Sequence, residues 1–136
     1  MPAFDASHNE LISAARRASE LAYAPYSRFP VGAALRTASG KIFSGCNVEN
    51  ASYGLSMCAE RNAIFQMVAA GETRFEAIVI STPTQTVTAP CGACRQVLFE
   101  FGPQAQVLCI CAGEACLETT ISELLPHAFG PGNLTP

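Results

Sequence analysis

Two apolar runs with a helix between them constrain this chain more than any other feature. The segments "FEAIVIST" (75–82) and "QAQVLCICAG" (104–113) read as strands, and "CGACRQVLFEFG" (91–102) between them reads as a helix stopped by Gly102 and Pro103. A strand, a crossover helix and a second apolar strand form a βαβ unit, so the two strands are expected to be parallel and covered by helices on both faces. Only Ala112 to Ala115 separate the second strand from a short one at "CLETT" (116–120), too few for a crossover, so that pairing is expected to be an antiparallel hairpin.

The remaining segments fit around this unit. "SHNELISAARRASELAY" (7–23) carries apolar residues at helical spacing behind a Ser7 cap and ends before Pro25. "VGAALRTASGKIFSGCNV" (31–48) reads as two strands joined through Ala38, Ser39 and Gly40, and "MCAERNAIFQMVAAG" (57–71) as a helix closed by Gly71. The expectation is an α/β fold, a mixed sheet of about five strands within a three-layer α/β/α sandwich. It occupies one domain over 1–136, with the Gly- and Pro-rich 129–136 as a C-terminal tail.

Composition limits what such a fold can do. Charged residues make up 14% of the chain, against about 25% in an average soluble domain. Some surface is therefore expected to be covered in an oligomer. A net charge of -3 and a pI near 5.3 give no basic footprint for nucleic acid or an acidic membrane. The N-terminal "MPAFDASHNE" lacks the basic and apolar regions of a secretion signal. These features point to a cytoplasmic protein whose partner is a small molecule.

Seven cysteines are many for 136 residues, and an odd number cannot all pair within one molecule. Cys109 and Cys111 lie in an apolar strand, where a thiol is usually a small hydrophobe, and Cys46 and Cys116 are read in the same way. The other three stand apart. Cys58 opens one helix beside Glu60 and Arg61, while Cys91 and Cys94 open another with C-x-x-C spacing. Helix N-termini stabilise thiolates, and the C-x-x-C interval lets two sulfurs reach one metal ion.

Three thiolates leave one coordination position open, as catalytic rather than structural zinc sites do. His8 and His127 lie outside these motifs. Glu60 is then placed to take a proton from an activated water and pass it on, a role helix packing does not give it. Arg61 opposes the helix dipole, but zinc with three thiolates carries a formal charge of -1, which a guanidinium bonded to the sulfurs would offset.

"CAE" followed by "PCGAC" resembles the signature of zinc-dependent nucleoside deaminases. More narrowly, "YSRFPVGAAL", "GCNVENASYGLSMCAERNAI", "PCGACRQVLFEF" and "SELLPHAF" resemble the small homotetrameric cytidine deaminases in order, spacing and total length. The resemblance implies one Zn²⁺ per chain on Cys58, Cys91 and Cys94, with Glu60 as the proton shuttle. It implies that Asn47 and Glu49 of "NVEN" hydrogen-bond the sugar, chiefly its 3'-hydroxyl. Phe29 would pack against the ligand, and main-chain groups near Ala59 would read the pyrimidine edge. Tyr53 and Phe129 resemble residues that such enzymes lend across subunit boundaries. The implied reaction is hydrolytic deamination of cytidine and deoxycytidine, within pyrimidine salvage.

Read as residues alone, Asn47 and Glu49 could equally order a loop, and the three aromatics could equally be core. A blasticidin-type or other nucleoside-analogue aminohydrolase shares "CAE" and "PCxxC", though the full "NVEN" favours an ordinary ribonucleoside. A polynucleotide deaminase fits poorly with the acidic pI and the short hairpin after Cys111. A structural zinc-binding module would need a fourth ligand, and a C-x-x-C redox protein would not explain Cys58 or Glu60.

Overall fold

Apolar runs at the centre and shorter, part-buried segments at the edges form a five-stranded sheet in the computed structural model, which describes residues 4–135. Residues 1–3, part of the stretch read for a secretion signal, and Pro136 of the expected tail lie outside the described residues. The strands are β1 (Gly32–Thr37), β2 (Ile42–Cys46), β3 (Phe75–Ser81), β4 (Gln106–Ile110) and β5 (Cys116–Thr120). Their order across the sheet is β2-β1-β3-β4-β5. β3 and β4 pair in parallel, Ala77 facing Gln106 and Ser81 facing Ile110, as the βαβ pattern requires. β1 with β2 and β4 with β5 form antiparallel pairs, the hairpins expected from their short connections. The antiparallel seam between β1 and β3, which joins the two halves, has no local signal in the sequence.

Helices cover both faces. α1 (Asn9–Glu20) packs Leu11, Ala14 and Ala15 against Ala34, Val79 and Leu108 on one side. α2 (Ala59–Ala69) and α3 (Gly92–Phe101) pack Ala63, Ile64, Met67 and Leu98 against Leu35, Ile78, Ile80 and Val107 on the other. A four-residue helix, α4 (Ile121–Leu124), follows β5. No helix among the described residues is long and apolar enough to cross a membrane.

Two glycines let the helices sit directly on the sheet. A Cβ on Gly32 would stand 2.0 Å from the Ala15 carbonyl oxygen of α1, and one on Gly45 would stand 2.6 Å from the Ala63 nitrogen and 2.8 Å from the Ala59 oxygen of α2. The second approach fixes the first turn of α2 against β2. Asn62 reinforces it, its Nδ2 donating to the Cys46 carbonyl at 2.8 Å. The start of α2, where the chemistry-bearing residues lie, is thus seated on strand backbone.

Two expectations need correcting. Ser7 does not cap the first helix: its backbone N–H and its hydroxyl both donate to Asp5 Oδ1, at 2.9 and 2.5 Å, so Asp5 caps a 3-10 turn over Ala6–His8 that precedes α1. Aspartate is the stronger acceptor, and it stands where its carboxylate reaches that amide. Cys116 is exposed rather than buried, because it begins the edge strand β5, while Cys109 and Cys111 are buried as expected and Cys46 is half-buried. The C-terminal stretch holds a 3-10 turn over Pro131–Asn133, closed by Gly130 N–H donating to Asn133 Oδ1 at 2.8 Å.

Candidate metal centre and cavity

Cys58 and Cys91 are the N-cap residues of α2 and α3, both in extended backbone conformation, and Cys94 lies in the first turn of α3. Neither side chain caps the backbone of its own helix, so the sulfurs are left for other partners. The parallel β3–β4 crossover delivers α3 beside α2, and the three Sγ atoms come within 4.8 Å of one another. Cys58 and Cys91 Sγ stand 3.9 Å apart. Residues 33 positions apart in the chain thus share one point because two helices start there.

The electrostatics show what the sulfurs lack. Hydrogen bonding from Cys94, then from Arg61, pulls the Cys58 thiol down to about 5 against the opposing effect of partial burial. Cys94 is pushed up, first by its bond to Cys58 and then by burial. Arg61 Nη2 donates to Cys58 Sγ at 3.3 Å, and bonding to Cys58, helped by bonding to Cys94, outweighs the opposing effect of burial and leaves the guanidinium more firmly protonated than usual. Arg61 Nε is buried with no hydrogen-bond partner, a donor that further thiolate charge would satisfy. Clustered sulfurs, a thiolate already favoured and an unsatisfied guanidinium donor beside it fit a cation of zinc type bound by these three residues.

Glu60 lies in the first turn of α2 and is only 5% exposed. Burial raises its carboxyl to about 7, outweighing the downward pull of a backbone hydrogen bond. A carboxyl that exchanges a proton near neutrality is suited to general acid and base work.

Glu60 opens on a cavity of about 440 Å³ lined also by Cys58, Cys91, Ala59, Phe29 and Asn47. That volume suits a small molecule rather than a polymer. The fully buried Ala59 begins α2 at the cavity wall. Asn47 accepts from Val31 N–H at 2.8 Å and donates to the Phe29 carbonyl at 2.9 Å. Glu49 accepts from Tyr26 and Ser27 N–H at 2.9 and 3.1 Å and from the Ser27 hydroxyl, which together lower its pKa, Ser27's hydroxyl bond most. Both residues therefore order the 26–31 loop, and only Asn47 lines the cavity.

Tyr53 and Phe129 are not brought to the cavity within one chain. They are 73% and 60% exposed, Tyr53 lying against Tyr26 with ring centroids 5.7 Å apart.

Several cavity and tether residues were not singled out by the sequence. Ser27, Thr82 and Thr88 also line the cavity. Arg95 Nε donates to the Pro90 carbonyl at 2.8 Å and its Nη1 to the Leu124 carbonyl at 2.9 Å, while Gln96 Nε2 donates to the Phe129 carbonyl at 2.8 Å. These two residues tie the C-terminal segment to the helix bearing Cys94. Their place directly after the C-x-x-C was the one available clue.

Residues 5–111 match the family described as the cytidine and deoxycytidylate deaminase zinc-binding region. A cytidine deaminase of Sporosarcina psychrophila is 44% identical over 128 residues, covering 93% of each chain, and one of Halalkalibacterium halodurans is 47% identical over 120 residues, covering 88% of this chain and 91% of its own. The crystal structure of cytidine deaminase from Burkholderia pseudomallei superposes with a TM-score of 0.86 at 53% identity, over 90% of this chain and 98% of that one. That from Mycobacterium tuberculosis gives 0.79 at 40% identity, over 93% and 99%.

Proposed function

The chain belongs to the cytidine and deoxycytidylate deaminase family, and from that premise we propose that it hydrolyses cytidine and deoxycytidine to the corresponding uracil nucleoside and ammonia. The observation that carries this reading is the convergence of Cys58, Cys91 and Cys94 on one point beside buried Glu60, with Cys58, Cys91 and Glu60 lining a cavity of nucleoside scale. Zinc bound by the three sulfurs supplies Lewis acidity and makes water a competent nucleophile near neutral pH.

Glu60 takes the proton of the attacking water and delivers it to ring N3 as oxygen adds at C4. It then relays the water's second proton to the departing amino group, which leaves as ammonia while the C4 carbonyl forms. Water's oxygen stays on the ring and both its protons end on nitrogen, so the atoms balance. Burial favours the protonated form of this carboxyl more than is usual, which suits a group that must both take and give a proton. Arg61, donating to Cys58, offsets the surplus charge of three thiolates on a divalent ion. Ala59 main chain reads the pyrimidine edge, Phe29 packs on the ligand, and Asn47 and Glu49 engage the sugar.

The reading includes a homotetramer of D2 symmetry in which Tyr53 and Phe129 reach a neighbour's cavity. Their exposure supports it. So do Leu21, Val48 and Phe65, exposed apolar side chains lining the groove between α1, β2 and α2. It also places the protein in the cytoplasm, where thiols stay reduced and available to a metal, acting in pyrimidine salvage.

The test is ammonia release by the purified zinc protein from cytidine and from free cytosine. A site built around a sugar hydroxyl discriminates strongly against ligands lacking it, by factors of roughly 10⁴ in the best cases. Fast turnover of cytidine and little of cytosine is expected. Equal turnover of both would overturn the sugar assignment, and release from neither would overturn the activity.

A further inference from the structure

The cavity wall formed by residues 26–31 is organised around one hydroxyl. Ser27 Oγ donates to Glu49 Oε2 and accepts from Phe29 N–H at 3.1 Å. A serine hydroxyl has one proton and two lone pairs, so its proton is committed to the carboxylate and one lone pair to the Phe29 amide. Glu49 Oε1 takes the Tyr26 and Ser27 amides. Both oxygens of this carboxylate are therefore tied to two adjacent residues more than 20 positions away in the chain.

Arg28 lies between the two bonds at a φ of 55°, a region non-glycine residues seldom occupy and one that persists where surrounding bonds over-determine it. Ser27 and Phe29 line the cavity, whereas Glu49 does not. Ser27 is thus the side chain through which the carboxylate is joined to the cavity wall.

We propose that Ser27 is a positioning residue for sugar recognition: its hydroxyl orients the Glu49 carboxylate and holds the Phe29 backbone, so that both present correctly to the nucleoside. The proposal rests on the assignment of Glu49 to the sugar and adds the residue that makes that contact selective. Removing the hydroxyl leaves Glu49 bonded to backbone amides only and frees the Phe29 N–H. The loss is concentrated on binding of the sugar hydroxyl, and proton transfer by Glu60 is untouched.

The experiment compares cytidine with 3'-deoxycytidine on the zinc-loaded protein and on the variants Ser27→Ala, Ser27→Thr and Glu49→Gln, with zinc content and melting temperature recorded for each. Ser27→Ala is expected to raise KM for cytidine about tenfold to a hundredfold, the scale of a lost hydrogen bond to a charged group. Its kcat should change by less than about threefold, since chemistry at C4 does not involve the hydroxyl. Preference for cytidine over the 3'-deoxy compound should shrink by the same tenfold or more, with zinc retained. Ser27→Thr keeps the hydroxyl and should retain most of that preference, whatever its melting temperature.

If Ser27→Ala weakens both substrates equally and leaves their ratio intact, the hydroxyl only braces the loop and the proposal fails while the sugar assignment survives. If Glu49→Gln itself leaves the ratio intact, the assignment of Glu49 to the sugar fails, and the role of Ser27 fails with it.

Discussion

The thiol end of the cavity and the wall formed by residues 26–31 are built by different means. At the thiol end, two helices begin at one place, and the residues at their first positions converge because the sheet and the β3–α3–β4 crossover bring the helix starts together. Along the loop wall, no regular element supplies the shape. Asn47 and Glu49 reach back to the amides and carbonyl of residues 26, 27, 29 and 31 and hold them by side-chain hydrogen bonds. The first construction transmits the rigidity of the core to the reacting groups, whereas the second is adjustable and depends on individual side chains. In the proposed function, chemistry belongs to the rigid end and recognition of the sugar to the adjustable one.

The largest effect should come from breaking the thiol end. Cys91→Ala leaves two sulfurs, and zinc per chain should fall well below one by metal analysis, with cytidine turnover dropping to background. Stability falls as well, because binding to the native state alone adds about 2.7 kcal/mol when ligand stands at a hundred times its dissociation constant. Full zinc and normal melting in this variant would show that Cys91 is not a ligand.

A smaller effect should follow from disturbing the support beneath the same end without touching a ligand. In Gly45→Ala the added methyl meets the backbone of α2 at Ala59 and Ala63, which cannot step aside as a side chain would. Overpacking of this kind costs about 1–3 kcal/mol. Chemical denaturation should show that loss, and competition with a chelator should show weaker zinc retention, since the start of α2 carries Cys58. Unaltered zinc affinity would mean that the helix start is not held by its contact with β2.

At the loop wall, Asn47→Ala removes the partners of Val31 N–H and the Phe29 carbonyl. The stability cost should be about 1 kcal/mol for these part-buried groups. KM for cytidine should rise, and zinc content should stay at one per chain. Loss of zinc in this variant would erase the division of labour between the two regions.

The same contrast explains what could be read in the sequence. Helices α2 and α3, the parallel β3–β4 pair and the flanking hairpins follow from local periodicity and short connections, and Cys58, Glu60, Cys91 and Cys94 were legible because each lies within three residues of a helix start. The loop wall was not. Ser27 and Glu49 stand 22 residues apart, and nothing near Ser27 marks it as a carboxylate's partner. The seam of β1 with β3 and the tethers from Arg95 and Gln96 are likewise set by tertiary proximity. Ser7 does not cap α1 because Asp5 draws it into a 3-10 turn ahead of the helix, which the helical spacing alone does not reveal.

The central claim is that Glu60 moves protons and binds no metal. Zinc stoichiometry and ammonia release from cytidine, measured side by side on the unaltered protein and on Glu60→Ala, test it most directly. The account predicts one zinc per chain in both, with deamination by the variant lower by at least the roughly 10² to 10⁴ associated with general acid and base catalysis. Near-normal turnover with full zinc would contradict the account and make Glu60 an ordinary buried carboxyl.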